Sequence, residues 1–304
     1  MNILVTGGAG YKGIKLTTRL LQEGHRVAVF DNFMYGYEPI MHLSEHPNLT
    51  ILKRDIRNGV EKLSQYDAVF HLAGISGFPA CANNPNSAQL INVDATKRLV
   101  DELGKDQILI NASTTSMYGK KGEECREDTP VDPVSTYAHT KYQAEKIVQD
   151  RENSISLRFA TVFGVSPKMR IDLMVNDFTY RAVKEGAVVL FDSFAKRTFI
   201  HIDDAVECYL FALNHYDQMK GNVYNAGGRH LNYSKREIAD IVRSHVKYDI
   251  IESQMSDKDL RHFLVSYDKI DKLGYFPKKD VEIGVQELLR LYSFYEVFSP
   301  FKVI

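Results

Sequence analysis

Five short runs of apolar, mostly β-branched residues punctuate the first half of the chain: NILVT at 2–6, RVAVF at 26–30, LTILK at 49–53, DAVFHLA at 67–73 and QILINA at 107–112. Short continuous apolar runs of this kind predict strands buried on both faces. Between them the spacing turns helical. Ile14, Leu16, Leu20 and Leu21 share a face over 13–23, which stops at Gly24. Leu90, Ile91, Val93, Leu99, Val100 and Leu103 do the same over 88–103, ended by Gly104. A third helix starts near Ser135 and carries Tyr142, Ala144, Ile147 and Val148. Strand and helix in alternation predict an α/β fold, a parallel sheet with helices on both faces. After ISLRFATVFG at 155–164 the rhythm changes. A helix near 171–184, a strand pair near 188–200, a helix over 203–215 and an extended segment at 222–226 follow. Residues 1–165 are thus expected to form the sheet domain and 166–304 a smaller lobe, with 201–226 returning to the sheet. The final run, VEIGVQELLRLYSFYEVF at 281–298, is an amphipathic helix whose aromatics read as lobe packing.

The first strand runs into TGGAGYKG, residues 6–13, with three glycines three residues apart where a strand gives way to a helix. In that setting Gly7 permits a tight turn, Gly10 lets the backbone approach a ligand, and Gly13 lets the helix pack close to the sheet. Free N–H groups and the positive end of the helix dipole suit a pyrophosphate. Asp31 closes the next strand. A carboxylate there accepts hydrogen bonds from both ribose hydroxyls of an adenosine and repels a 2′-phosphate, which favours NAD over NADP. Taken alone, Asp31 also fits a plain strand-end turn. Lys12 has two readings. Its ammonium lies near the pyrophosphate, or, the favoured reading, its stem covers apolar surface while the charge stays in water.

STYAHTK places Tyr137 and Lys141 four apart on one face of the third helix. Tyrosine, with a reference pKa of about 10, is a poor base at neutral pH. A nearby ammonium and an oxidised nicotinamide both favour the phenolate, so Tyr137 could take the proton of a substrate hydroxyl as hydride leaves the same carbon. An exposed helix pair has the same spacing; its place after the fifth strand is the informative part. NASTTSMYG at 111–119 stands at the carboxyl end of that strand, the edge where open parallel sheets bind ligands. A hydroxyl there could hold the reacting oxygen, although a merely polar loop would read the same.

Composition narrows the field. The chain has 304 residues, 44 % hydrophobic, with a formal net charge of -1, so nothing draws it to nucleic acid or an anionic membrane surface. Cys81, Cys125 and Cys208 are too few and scattered for a disulfide framework or a zinc cluster, which points to a reducing, cytoplasmic setting. No apolar run approaches a membrane span, and the opening one is too short for a signal peptide. His42 and His46 stand four apart, but Pro47 follows and no third ligand is evident, so no metal is expected. His139, two residues from Tyr137, should point off the catalytic face.

In order and spacing, TGGAGYKG, DNFMYG, RDIRN, HLAG, NVDAT, STTSMYG, YAHTK, RFATVFG, RTFIHIDDA and YNAGG resemble an extended short-chain dehydrogenase/reductase of the NAD-dependent epimerase/dehydratase family, which works on nucleotide-activated sugars. The resemblance implies a Rossmann-type doubly wound sheet with a smaller C-terminal substrate-binding lobe. It implies NAD as cofactor, a nucleotide sugar as substrate, and a homodimer formed through helices 88–103 and 136–150. It implies that Thr114 joins Tyr137 and Lys141 as the catalytic set. Tyr11, Lys12 and Asn32 would join the three glycines and Asp31 around the dinucleotide. Asp55 and Ile56 would contact adenine, Leu72 and Ala73 would lie against the cofactor, and Asn92 would order the sheet edge beside it. Asn176, Arg197 and Arg261 would meet the substrate diphosphate, a use that suits planar guanidinium forks; a surface ion pair is the other reading of each arginine. His201 and Asp204 would organise the lobe. Family members usually carry an aliphatic residue where Lys12 stands.

RFATVFGVSPKMRIDLMVNDF and DLRHFLVSYDKIDKLGY resemble a polysaccharide-pathway branch that includes dehydrogenases of GDP-linked heptoses, so a GDP-linked sugar is a candidate. Sugar 4,6-dehydratases of the family carry Asp-Glu directly after the catalytic threonine, and decarboxylases keep a glutamate nearby; here Thr115 and Ser116 follow. What remains is oxidation of a hydroxyl, at C4 by expectation, with or without epimerisation, or NADH-dependent reduction of a 4-keto sugar. A dinucleotide-binding regulator without turnover is the reading from a different class.

Overall fold

The structure, a computed structural model, describes residues 1–256 and 261–296. Seven strands, β1 (Asn2–Thr6), β2 (Arg26–Asp31), β3 (Leu49–Lys53), β4 (Ala68–His71), β5 (Ile108–Thr114), β6 (Ser154–Phe159) and β7 (Asn222–Ala226), build one sheet in the order β7-β6-β5-β4-β1-β2-β3. Every neighbouring pair is parallel. Parallel strands need helical crossovers, and these cover both faces. Side chains one residue apart in β1 enter different cores. Ile3 and Val5 pack with Leu16, Phe70 and Tyr209, whereas Leu4 packs with Val69, Leu99 and Val148.

The principal helices are α1 (Tyr11–Gln22), α2 (Ala95–Glu102), α3 (Thr136–Gln149), α4 (Met174–Lys184), α5 (Ile202–Asn214), α6 (Lys235–His245) and α7 (Val281–Tyr292). Lys15 and Arg19 of α1 pair with Asp203 and Glu207 of α5, each at 2.6 Å. α2 and α3 supply Leu99 and Val148 to the other face. Strand order reverses between β1 and β4, and a crevice opens at their carboxyl ends. Among the described residues no helix is long and apolar enough to cross a membrane.

Three local departures from the sequence pattern matter for the site. The helix expected over 88–103 runs into α2 through a π turn at Leu90–Asp94, and the extra residue of a π turn re-aims a side chain, here that of Asn92. ISLRFATVFG breaks at Ala160. β6 stays in the main sheet, and Thr161–Phe163 joins a small sheet with Lys196–His201 and Asn232–Ser234. The segments near 188–200 do not pair with each other, contrary to expectation. Ala187–Leu190 pairs with Asp249–Glu252 instead. The connector between them is committed elsewhere: the carbonyls of Ser193 and Ala195 accept from the N–H groups of Arg236 and Lys235 at the start of α6.

The segment 222–226 returns to the main sheet as β7, beside β6. The lobe has its own core, in which Val175 and Phe178 of α4, Ile238 and Val242 of α6, and Val285, Leu288 and Tyr292 of α7 meet. Tyr292, from the aromatic run at the end of the chain, is fully buried there; Val297 and Phe298 of that run lie outside the described residues.

Candidate active site

A cleft of about 660 Å³ lies at the carboxyl ends of the strands, between the sheet and the lobe. The glycine turn forms one wall. Gly7 holds φ at 70°, and a Cβ there would sit 2.8 Å from the Ala73 nitrogen at the exit of β4. At Gly13 a Cβ would meet the Gly7 carbonyl at 2.1 Å. Strand end, turn and helix therefore fit only without side chains. Gly13→Ala should cost about 1–3 kcal/mol of stability by overpacking, read by denaturant melts, and should lower NAD affinity in the same protein, read by titration. α1 starts at Gly10 with no side-chain cap and no acidic residue in its first turn, which leaves the positive helix end to a ligand anion.

The other residues expected around the dinucleotide fall into two groups. Asn32, Asp55, Ile56, Leu72 and Ala73 line the cleft with Asp31 and Tyr11. The Asp31 carboxylate accepts from the Ala9 and Phe33 N–H groups at 3.1 and 2.9 Å. Burial raises its pKa, and Lys168 draws it the other way. Asp55 is held by the Arg57 backbone and guanidinium, which keep its carboxyl below the usual range. Asn92 and Asn176, by contrast, stand behind the wall, fully buried. Asn92 bonds both backbone groups of Ile75 and the Thr140 hydroxyl. Asn176 accepts from the Gly164 N–H and donates to the Tyr11 hydroxyl and the Arg170 carbonyl. Both amides hold loops in place.

Thr114, Tyr137 and Lys141 line the same cleft. Thr114 ends β5, and its hydroxyl donates to the Ser116 hydroxyl at 3.1 Å. Ser135 caps α3 by accepting from the Ala138 N–H, which sets Tyr137 and Lys141 on the first two turns. His139 is exposed, as its spacing implies. Lys141 is buried; burial lowers its pKa to about 8 against the raising influence of Glu145, one turn further on. Glu145 forms a buried ion pair with Arg158 of β6 at 2.7 Å and accepts from the Ser113 hydroxyl at 2.6 Å. Arg158 also donates to the Tyr118 hydroxyl and the Glu127 carbonyl. The network pins the face of α3 that bears Tyr137 and Lys141 to the strands carrying Thr114 and Phe159. Sequence reasoning missed it, although Tyr137, Lys141 and Glu145 at intervals of four signal one continuous face.

Lys12 is half-buried and turns its ammonium into the cleft, over aromatic rings. Its ammonium lies 4.1 Å from the Phe159 ring centroid and 5.6 Å from that of Tyr209. Phe159 ends β6 beside α1, so the short path from the first helical turn leads over a ring face, which attracts a cation. Burial, with Lys141 and Arg170 nearby, presses its pKa down to about 7.

Arg197 and Arg261 line the lobe side, together with Arg170, Lys168 and Lys235, a cationic wall suited to phosphates. Arg261 donates to Ser116 at 2.5 Å. Arg170, which the motif spacing did not single out, pairs with Asp172 and reaches the Ser76 hydroxyl across the cleft. Lys168 donates to the Tyr35 carbonyl, so one lobe segment touches both rims of the sheet domain. His201 contacts Glu287 at 3.0 Å, and Lys15 and Lys279 neutralise Asp203 and Glu287. Asp204 accepts from the backbone of Lys278 and Lys279. These groups tie α7 and the segment before it to α5.

Residues 3–227 match the model of the NAD dependent epimerase/dehydratase family. The chain belongs to that family of NAD-dependent nucleotide-sugar enzymes. It is 28 % identical to UDP-glucuronate 4-epimerase 4 of Arabidopsis thaliana over 97 % of this chain and 76 % of that protein. It is 30 % identical to an uncharacterized UDP-glucose epimerase, YtcB, of Bacillus subtilis, over 75 % and 77 %. In structure it resembles dTDP-glucose 4,6-dehydratase from Streptomyces venezuelae with NAD and TYD bound, with a TM-score of 0.85, 25 % identity, and 96 % of this chain and 97 % of that one covered. The UDP-glucuronic acid 4-epimerase of Bacillus cereus, at 23 % identity and a TM-score of 0.83 over 96 % and 99 %, shares the fold.

Proposed function

We propose that this protein oxidises the C4 hydroxyl of a nucleotide-activated hexose and returns hydride to either face, a 4-epimerase. The observation that carries this is one cleft lined by the glycine turn, Thr114, Tyr137 and Lys141, followed at 115 and 116 by hydroxyls and no carboxylate. NAD held by the glycine turn and Asp31 would supply the hydride acceptor and donor. Tyr137 takes the hydroxyl proton and later returns it. Lys141, cationic below about pH 8, adds a positive charge on the face of α3 that bears Tyr137. Thr114 steadies the reacting oxygen. Elimination of water needs a further acid and base beside Thr114; Thr115 instead donates to the Phe159 carbonyl, and Ser116 is neutral. Asp31 supports NAD over NADP, and Arg197 and Arg261 support a diphosphate-linked sugar. The relatives named above point to a pyrimidine nucleotide in place of the GDP-linked one considered from sequence. Cytoplasmic location, polysaccharide assembly and homodimerisation through α2 and α3 belong to the same reading.

The test is incubation with UDP-, dTDP- and GDP-linked hexoses and hexuronates, with products followed by NMR. A C4 epimer that keeps the C4 deuterium of labelled substrate, without net NADH release, is expected. A 4-keto-6-deoxy product, or stoichiometric NADH with a free keto sugar, would replace this reading with a dehydratase or a dehydrogenase.

A further inference from the structure

Lys12 is a cation without a counter-ion. Its ammonium makes no hydrogen bond or ion pair with any described residue; its close neighbours are the faces of Phe159 and Tyr209. The charged groups around it do not relieve it. Lys141 of α3 and Arg170, ahead of α4, repel it, and Cys208 of α5, which draws the other way, is itself a buried thiol with its pKa pushed up. α5 also contributes Tyr209, whose buried hydroxyl has no partner among the described residues, and β6 contributes an aromatic face. An unpaired ammonium held half-buried against two ring faces is unfavourable, so a residue kept in this state should earn its place through what enters the cleft.

Where it sits narrows what that is. Lys12 lines the cleft. The ring beneath it belongs to Phe159, the register partner of Thr114. It therefore stands at the end of the cleft shared with Thr114, Tyr137 and Lys141, where redox chemistry must occur. The two redox states of the cofactor have the same diphosphate and differ in the ring: the oxidised nicotinamide is positive and the reduced one is neutral. A fixed cation at this end acts on that difference.

We infer that Lys12 sets the redox preference of the cofactor site, disfavouring the oxidised dinucleotide relative to the reduced one. This rests on dinucleotide binding in the cleft and is independent of which sugar is turned over. The consequence for catalysis is a more populated reduced-cofactor, keto-sugar state between the two hydride transfers. The preference also depends on pH. Lys12 is charged below about pH 7 in the free protein, and a bound diphosphate moves that transition upward. The preference is therefore full at pH 6 and fades toward pH 10, as the ammonium loses its proton.

The experiment is calorimetric titration of protein stripped of dinucleotide with NAD⁺ and with NADH, at pH 6 and pH 10, for the parent, Lys12→Met and Lys12→Arg. The quantity read is the ratio of the two dissociation constants, in which contributions from the diphosphate cancel. At pH 6, Lys12→Met should lower the preference for NADH by about tenfold, the effect of one pKa unit of interaction. Lys12→Arg should keep it at both pH values, and the parent should lose part of it by pH 10. Lys141 also titrates in this range, but it is common to all three proteins, so the comparison between them isolates Lys12. An unchanged ratio in Lys12→Met overturns the inference. So does an equal loss of affinity for both dinucleotides, which would make Lys12 a phosphate ligand only. Failure of the parent to bind either dinucleotide would strike the cofactor reading itself, a distinguishable outcome.

Discussion

Replacing Tyr137 by phenylalanine should lower turnover by about 10²–10⁴-fold, the range for loss of a positioned acid–base group. NAD affinity should stay within about tenfold, because at most one modest hydrogen bond is lost. The fold has little stake in the hydroxyl. Tyr137 is only half-buried, its hydroxyl bonds to no described residue, and the Ser135 cap and the Glu145 network hold α3 without it. Melting temperature should therefore not move. The design separates three readings. Lost turnover with intact binding and stability supports the acid–base role. A joint loss of turnover and NAD affinity makes Tyr137 a cofactor contact. Unchanged turnover removes it from the chemistry. Lys141 adds a pH signature: its pKa of about 8 means the ammonium on the Tyr137 face of α3 is present below that value and lost above it, so the parent should lose activity on that alkaline side.

Much of this candidate site is legible in the sequence, for a physical reason. Features fixed by backbone geometry and local spacing leave a sequence trace: glycines at 7 and 13 where a Cβ would collide with backbone, Asp31 at a strand end, and Tyr137 and Lys141 one helical turn apart. The parallel sheet was legible too, because strands buried on both faces read as unbroken apolar runs. Features set by where a flexible side chain turns leave little trace. Lys12 looked like a solvated first-turn lysine, since nothing local shows that Phe159, far along the chain, lies within its reach. Arg170 had no motif because its partners are a neighbour, Asp172, and a distant loop residue, Ser76. The supposed strand pair near 188–200 failed for a similar reason: short lobe strands select partners by tertiary packing, and the start of α6 claimed the connecting backbone. Asn92 was expected beside the cofactor, but only the π turn explains how its amide reaches Ile75.

Breaking the pair behind the catalytic helix should have the largest effect on stability. Arg158→Met leaves the Glu145 carboxylate buried with the Ser113 hydroxyl as its remaining hydrogen-bond donor. Loss of one member of a buried pair costs about 3–5 kcal/mol, which urea unfolding would read directly. Adding Glu145→Leu should recover part of that, because two apolar side chains of similar size replace two desolvated charges; the Ser113 hydroxyl and the Glu127 carbonyl, each left without its partner, retain a cost of about 1 kcal/mol apiece. Activity should not follow stability back. Glu145 holds up the pKa of Lys141 against burial, so without the carboxylate that pKa falls below about 8 and the ammonium is lost at a lower pH. The alkaline limb of the rate profile should therefore move toward acid in the refolded double variant. An Arg158→Met protein that loses less than about 1 kcal/mol, the worth of a surface pair, would show that the network is not under tension in the fold. A stable double variant with an unmoved alkaline limb would separate Glu145 from Lys141, and with it the claim that α3 is held and tuned by the same carboxylate.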